Sequence, residues 1–234
     1  MEVHHPKFIK GFVEEIFVIV ISISLAVLAE RAVENWIHHK ESKESLIRLR
    51  TELIRDSVDL SFNYTVHQNA IIGTQKLTDW SNGKIELADD SLSILTSNSL
   101  DYSWFEANTS EFESLKSSGK LSYIEDKELV SKIITNYNRY AEYKHFTDRE
   151  LSLVHQLSEF YRKNTSFITN GFNLDNLAIK QYSFKRESIN KGLRGKSEFE
   201  GFLQQKQLED NWMIWLINRD FIRVRELINI IKVE

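Results

Sequence analysis

Residues 16–29, IFVIVISISLAVLA, run for fourteen positions without a charge, and nothing else in the 234-residue chain approaches that apolarity. Adding Phe12 and Val13, with Glu14 and Glu15 at the edge, gives about eighteen residues. As a helix they cover ~27 Å, close to the ~30 Å hydrocarbon core of a bilayer. A buried core helix or the core of a cleaved signal could have the same composition. Against a signal, Ala26-Val27-Leu28-Ala29 makes a poor cleavage site and the helical pattern continues through Glu30 to Lys40. Against a core helix, the run lacks a polar face. Its only polar side chains are Ser22 and Ser24, whose hydroxyls can bond back to the preceding turn. Trp36 follows near a headgroup position. The run therefore reads as a single-pass anchor over residues 12–33, after a tail of residues 1–11. It sets Ile16, Val20, Ser22, Leu25, Ala26 and Ala29 in the lipid bilayer.

About 195 residues remain for one large domain or two small ones. A net charge of −4 with 27% charged residues argues against a nucleic-acid partner, which demands a concentrated basic field. Eight Gly and one Pro give little turn punctuation, so long helices are expected. With no Cys, disulfides, thiolate metal sites and cysteine nucleophiles are excluded. Lys7 and Lys10 precede the span, and Arg31, Lys40, Lys43 and Arg48 follow it. That count slightly favours the C-terminal side as cytoplasmic, and the sequence alone leaves the side of the soluble part open.

The expected fold is all-α: a transmembrane helix continuing into a long amphipathic helix over residues 34–82, then a helical bundle over residues 83–234. Leu46, Leu49 and Leu53 form the first turns of a coiled-coil seam. The strict heptad then fails, because Asp56 and Asn63 stand at would-be core positions. Such a seam serves either a parallel oligomer or packing within one subunit. The helix is predicted to end at Ser81-Asn82-Gly83. Asp89-Asp90-Ser91 caps a short helix. Thr109 or Ser110 caps another that ends at Gly119 and turns Phe112 and Leu115 inward. One helix is predicted from Asp126 to about Phe160, and residues 163–196 read as a long loop. Ser197-Glu198-Phe199-Glu200 has the form of a capping box opening a last helix to about Lys232.

Candidate chemistry is sparse. Of seven His, the pairs His4-His5 and His38-His39 do not face one another on a helix, and His38 with Glu34 or Glu41 is the nearest metal-like set. His145 and His155 lack a matching ligand cluster. No phosphate loop, serine elbow or HExxH pattern occurs. No catalytic residue, metal ligand or cofactor site is assigned. The basic run Lys185, Arg186, Lys191, Arg194 and Lys196 could bind phosphate or anionic lipid, but reads more simply as solvated charge. Glu14 and Glu15 stand at membrane depth, where carboxylates are costly. Trp104, Phe105, Trp212 and Trp215 read first as core, with an interaction surface at Trp212 and Trp215 as the second reading.

Glu15 with the apolar run, Leu25-Ala26-Val27-Leu28-Ala29-Glu30-Arg31, Trp36 and Leu49-Arg50-Thr51-Glu52-Leu53 together resemble an uncharacterised bacterial family. Its members are single-pass inner-membrane proteins with a helical extramembrane domain. A weaker block, Phe112, Leu115, Ser117-Ser118-Gly119-Lys120-Leu121 and Glu128-Leu129, is similar to a second stretch of that family. Here Ser22 and Ser24 stand where members often have Gly. The resemblance implies a bacterial inner-membrane location and brings no activity with it. Taken together, the readings favour a scaffold, not an enzyme: an accessory subunit of an inner-membrane assembly with a protein partner in the membrane. Ser22, Ala26 and Ala29 make a small-residue face that suits a homo-oligomer. The alternative is an anchored signalling or defence effector whose helical domain senses a ligand.

Overall fold

A computed structural model describes residues 6–169, 182–184 and 186–232, with side-chain burial described for residues 14–166 and 187–232. The dominant element is α1, Pro6–Ser81, a single helix of 76 residues. At ~1.5 Å per residue it is about 114 Å long. Its only Pro is at the first helical position, where a missing N–H costs nothing, and its only glycines are Gly11 and Gly73. The expected stop is confirmed. The N–H of Lys84 donates to the Asp79 carbonyl at 2.9 Å across Gly83, whose φ of 71° is one that L side chains rarely adopt.

Residues 14–37 are exposed along their whole length, including the apolar run. The helix meets the rest of the chain at His38, whose ring stacks on Tyr123 at 3.8 Å. From there α1 becomes the spine of a helical head. Ser45, Gly73 and Trp80 are buried beside a face that runs through Ser42, Leu46, Leu49, Leu53, Asp56, Leu60, Asn63, His67, Ala70, Thr74, Leu77 and Ser81. Along that face the spacing alternates four and three without interruption. The heptad therefore does not fail at Asp56 and Asn63: geometry keeps both in the core, 0% and 1% exposed, and only the chemistry changes.

The partner of that seam is α7, Ser197–Ile230. Glu209 and Leu216 are buried beside a face that runs through Phe199, Leu203, Lys206, Asp210, Met213, Ile217, Asp220, Val224 and Leu227, and on to Ile231 just past the helix end, with the same alternation of four and three. The two helices run antiparallel. Arg50 donates to the Ile228 carbonyl at 3.0 Å, His67 meets Asp210, and Ser81 donates to Glu200 at 3.2 Å. Leu49 and Leu53 are thus wholly buried against the chain's own last helix, with Leu46 packed on the edge of the same cluster. The face that sequence offered to an oligomer is occupied within the subunit.

The remaining elements close the bundle. Helix α2, Asp89–Asn98, and α3, Ser110–Ser117, pack along α1, and Phe112 and Leu115 point inward as expected. Asp89 and Asp90 lie in the first turn of α2 and not at its cap, where they favour the positive end of the helix dipole. A 3-10 turn at Lys120–Tyr123 leads to α4, Lys127–Arg139, capped by the Asp126 carboxylate on the Leu129 N–H.

The single helix expected over residues 126–160 is two, because α5, Ala141–Asn164, starts afresh after Tyr140. At that break the backbone tightens to three-residue bonds. The Tyr140 ring is held against Phe105 at 5.0 Å and Tyr137 at 5.5 Å. Nor are residues 163–196 merely a loop. They contain a short antiparallel pair, β1 (Phe167–Thr169) with β2 (Tyr182–Phe184), and α6, Arg186–Leu193. Residues 170–181 and Lys185 lie outside the described set. The capping box is absent too: Lys196 is the cap of α7, and Glu200 accepts from Ser81 of α1 instead.

Among the described residues, apolar packing falls into two clusters. One gathers Leu49, Leu53, Leu60, Phe105, Tyr143, Met213 and Leu227 in the half nearer the apolar run. The other gathers Leu77, Trp80, Leu157, Phe160, Phe199 and Leu203 at the far end. What separates them is polar.

Candidate functional site

Four ionisable side chains from three helices meet between the two clusters. His67 is supplied by α1, Glu150 by α5, and Lys206 with Asp210 by α7, one turn apart on its inward face. All four are 0% exposed. The Lys206 ammonium donates to Glu150 Oε1 at 2.8 Å and to Asp210 Oδ1 at 2.7 Å. His67 Nδ1 lies 2.8 Å from that same Asp210 oxygen and 3.5 Å from Glu150 Oε1. Because its neighbours are carboxylates, Nδ1 must carry the proton, which turns Nε2 toward Ser103 Oγ at 3.2 Å. Glu150 Oε2 and Asp210 Oδ2 are buried and make no hydrogen bond among the described residues.

Burial sets the electrostatics. Desolvation opposes charge on Lys206, yet the Asp210 and Glu150 carboxylates outweigh it and the ammonium titrates above its usual range. For Glu150, desolvation wins over the pull of Lys206 and His67, and its proton affinity rises. Asp101, in the loop after α2, is pushed up to about 6 by burial, with the Lys206 charge opposing. With His67 neutral the four groups sum to −1; with His67 protonated they sum to zero.

Two chemical readings of the cluster can be weighed. His67, Glu150 and Asp210 offer three ligand atoms within 4.8 Å of one another, a set that suits a divalent metal. The Lys206 nitrogen, however, sits within hydrogen-bond distance of both carboxylate oxygens such an ion would use, so the layer carries its own cation. Ser103, His67 and Asp210 also repeat the bonding order of a hydrolase triad. Ser103 is only 9% exposed, so an acyl group could reach its oxygen only after the core opens.

Related polar layers flank this one within the proximal cluster. Asp56 accepts from the Asn108 N–H at 2.9 Å and side-chain amide at 2.8 Å, and from the Tyr140 hydroxyl at 3.3 Å. Burial nonetheless raises the Asp56 proton affinity. Asp220, 1% exposed, is gripped by Arg219 through two bonds of 2.8 and 3.1 Å and by Arg223 at 2.9 Å.

The residues singled out in the sequence are placed differently. Ile16, Val20, Ser22, Leu25, Ala26 and Ala29 are all exposed on α1. Ser22 donates to the Val18 carbonyl and Ser24 to that of Val20, both at 2.8 Å. Phe105 is core as expected, but Trp104, Trp212 and Trp215 are 54%, 43% and 52% exposed. Trp212 and Trp215 meet edge to face at 6.0 Å, with the Arg219 guanidinium 5.2 Å from the Trp215 ring. Leu208 and Ile222 extend them into a stripe on the outer side of α7. His38, the nearest metal-like candidate, is engaged with Tyr123, and His39 faces Glu125 at 3.6 Å.

The buried layer is not legible in the sequence because its members are scattered: His67 and Asp210 are 143 positions apart. The usable signal was that His67 continues the heptad begun by Leu49 and Leu53, while Lys206 and Asp210 interrupt the inward face of α7. No protein-family model, no curated protein and no solved structure matches the chain.

Proposed function

We propose that the protein is a membrane-anchored helical scaffold, an accessory subunit of a bacterial inner-membrane assembly. One observation carries the reading. A single unbroken helix presents a bare apolar stretch long enough to cross a membrane and then becomes the buried spine of the head. A soluble protein has no reason to leave such a run exposed, since apolar surface in water costs ~25 cal/mol per Å2. The head offers its partner the α7 stripe of Leu208, Trp212, Trp215 and Ile222, rich in the aromatic residues that dominate protein interfaces. Self-association, where it occurs, uses the small-residue face Ser22, Ala26 and Ala29, because Leu49 and Leu53 are already committed. The test is fractionation: full-length protein should stay with membranes through alkaline carbonate. Recovery in the soluble fraction without detergent would refute the anchor.

The effector reading draws support from the same continuity. With no Pro and no loop between span and head, a rearrangement of the buried charged layer would be transmitted along α1 as a rotation or shift of the span. Release of a membrane-impermeant dye on adding a ligand, from vesicles holding the purified protein, would favour it over the scaffold.

A further inference from the structure

We propose that a cleft at the end of the head farthest from the apolar run binds the phosphoryl group of a small soluble ligand. The cleft, of about 360 Å3, lies between the end of α5 and one face of α6, and three ammonium groups line it: Lys163, Lys191 and Lys196. Thr165, Ser166 and Ser188 line it as well, and no carboxylate is among the described residues that do. Three cations around one space repel one another, and a phosphate there removes the repulsion while its oxygens take donors from several directions.

The frame is fixed before any ligand arrives. Lys196 donates to the Asn164 side-chain oxygen at 2.9 Å, and the Asn164 amide donates to the Phe160 carbonyl at 2.9 Å. Thr165 Oγ1 donates to the Tyr161 carbonyl at 2.7 Å, and the Ser166 N–H to Ser188 Oγ at 3.0 Å. Gly192 is what allows the approach: a Cβ there would lie 1.8 Å from the Asn164 carbonyl oxygen. That close passage of α6 over the end of α5 brings Lys191 to the same cleft as Lys163. The bland account is that lysines offset the negative ends of helix dipoles. It covers Lys163 and Lys191, in the last turns of α5 and α6, but not Lys196, which caps the N-terminus of α7, where the dipole disfavours a cation.

Position argues for the source. Gly195, beside the cleft, donates to Ser81 at the end of α1, about 70 Å of helix from residue 34. The headgroups around the anchor are therefore out of reach, and a dissolved phosphorylated molecule is the fitting occupant. An adjoining cavity of about 430 Å3 shares Lys163 and Asn164; Phe160, Phe202, His155, Gln156 and the carboxylates Glu159 and Glu198 wall it, so it has room only for a part of the ligand that carries no negative charge.

The experiment titrates pyrophosphate into the full chain in detergent micelles at constant ionic strength, read by calorimetry. Saturable binding is expected. Lys163→Gln and Lys191→Gln should each weaken it about fivefold or more. The double variant should abolish it, while Lys144→Gln, away from the cleft, should leave it unchanged. Far-UV circular dichroism checks that each variant is folded. Absence of saturable binding overturns the proposal, as does binding that survives the double variant. So does lysine-dependent capture of added phosphatidylglycerol vesicles by protein that ignores pyrophosphate, which would make the ligand a lipid. None of these outcomes bears on whether residues 12–33 cross a membrane.

Discussion

Lys206 shows how one side chain can hold a layer together. Among the described residues its ammonium makes the one hydrogen bond to Glu150 Oε1, which His67 Nδ1 approaches only to 3.5 Å, and it shares the Asp210 oxygen with His67. Lys206→Met should leave two buried carboxylates uncompensated and destabilise the head by ~3–5 kcal/mol, read from urea melts. Replacing His67, Glu150, Lys206 and Asp210 together with apolar residues should recover much of that loss, since such swaps are often neutral or stabilising. A Lys206→Met loss under ~1 kcal/mol would mean the layer is wet.

Asp101 gives a pH signature with a definite sign. Its folded pKa, about 6, is above its unfolded value, so the folded state binds the proton more tightly. Its stabilising contribution is complete below about pH 4. That contribution is lost as pH rises through 6. Asp101→Asn should therefore gain stability over the wild type as pH rises from 4 to 7; equal denaturation midpoints at both ends would contradict the burial argument.

At the scale of elements, the contrast between neighbours on α1 is sharp. Leu53 is 0% exposed against α7, and Ile54, one residue on, is 40% exposed. Leu53→Ala should cost ~2–5 kcal/mol through the cavity it leaves. Ile54→Ala should stay within about 0.5 kcal/mol. Equal effects would mean that α1 pairs through a different face. On α7 the alternation of four and three leaves the outward stripe free of the core. Trp212→Ser with Trp215→Ser should therefore change the melting temperature little while abolishing capture of the proposed membrane partner. A large loss of stability would assign the two rings to the fold itself.

For the whole molecule, the proposed anchor turns on the transfer of the apolar run, residues 16–29, into lipid. Ile21, near the middle of the run, is the sensitive position. A lysine there costs at least ~2.5 kcal/mol of insertion, so Ile21→Lys should cut the membrane-bound yield markedly. Unchanged yield would count against a span. The head should fold regardless, since its two clusters and its charged layer use nothing before His38.

The sequence by itself determined whatever depends on neighbours along the chain. The apolar run, the all-helical character, the stop at Gly83 and the inward Phe112 and Leu115 follow from composition, period and local sterics. Local signals misled where one side chain has two uses. Glu200 has the spacing of a capping box, yet it bonds Ser81 of another helix, and Tyr140 ends a helix through rings distant in sequence. Only the tertiary structure decided what Asp56, Asn63 and His67 do. A heptad written with polar letters reads as a broken seam, and it is intact once the fold supplies partners: Asn108 and Tyr140 for Asp56, Asp210 of α7 for His67, and the Asp59 carbonyl of α1 itself for the Asn63 amide. Partner identity across 143 positions is a property of packing, because hydrogen bonds and ion pairs act over a few ångströms in space and carry no memory of distance along the chain.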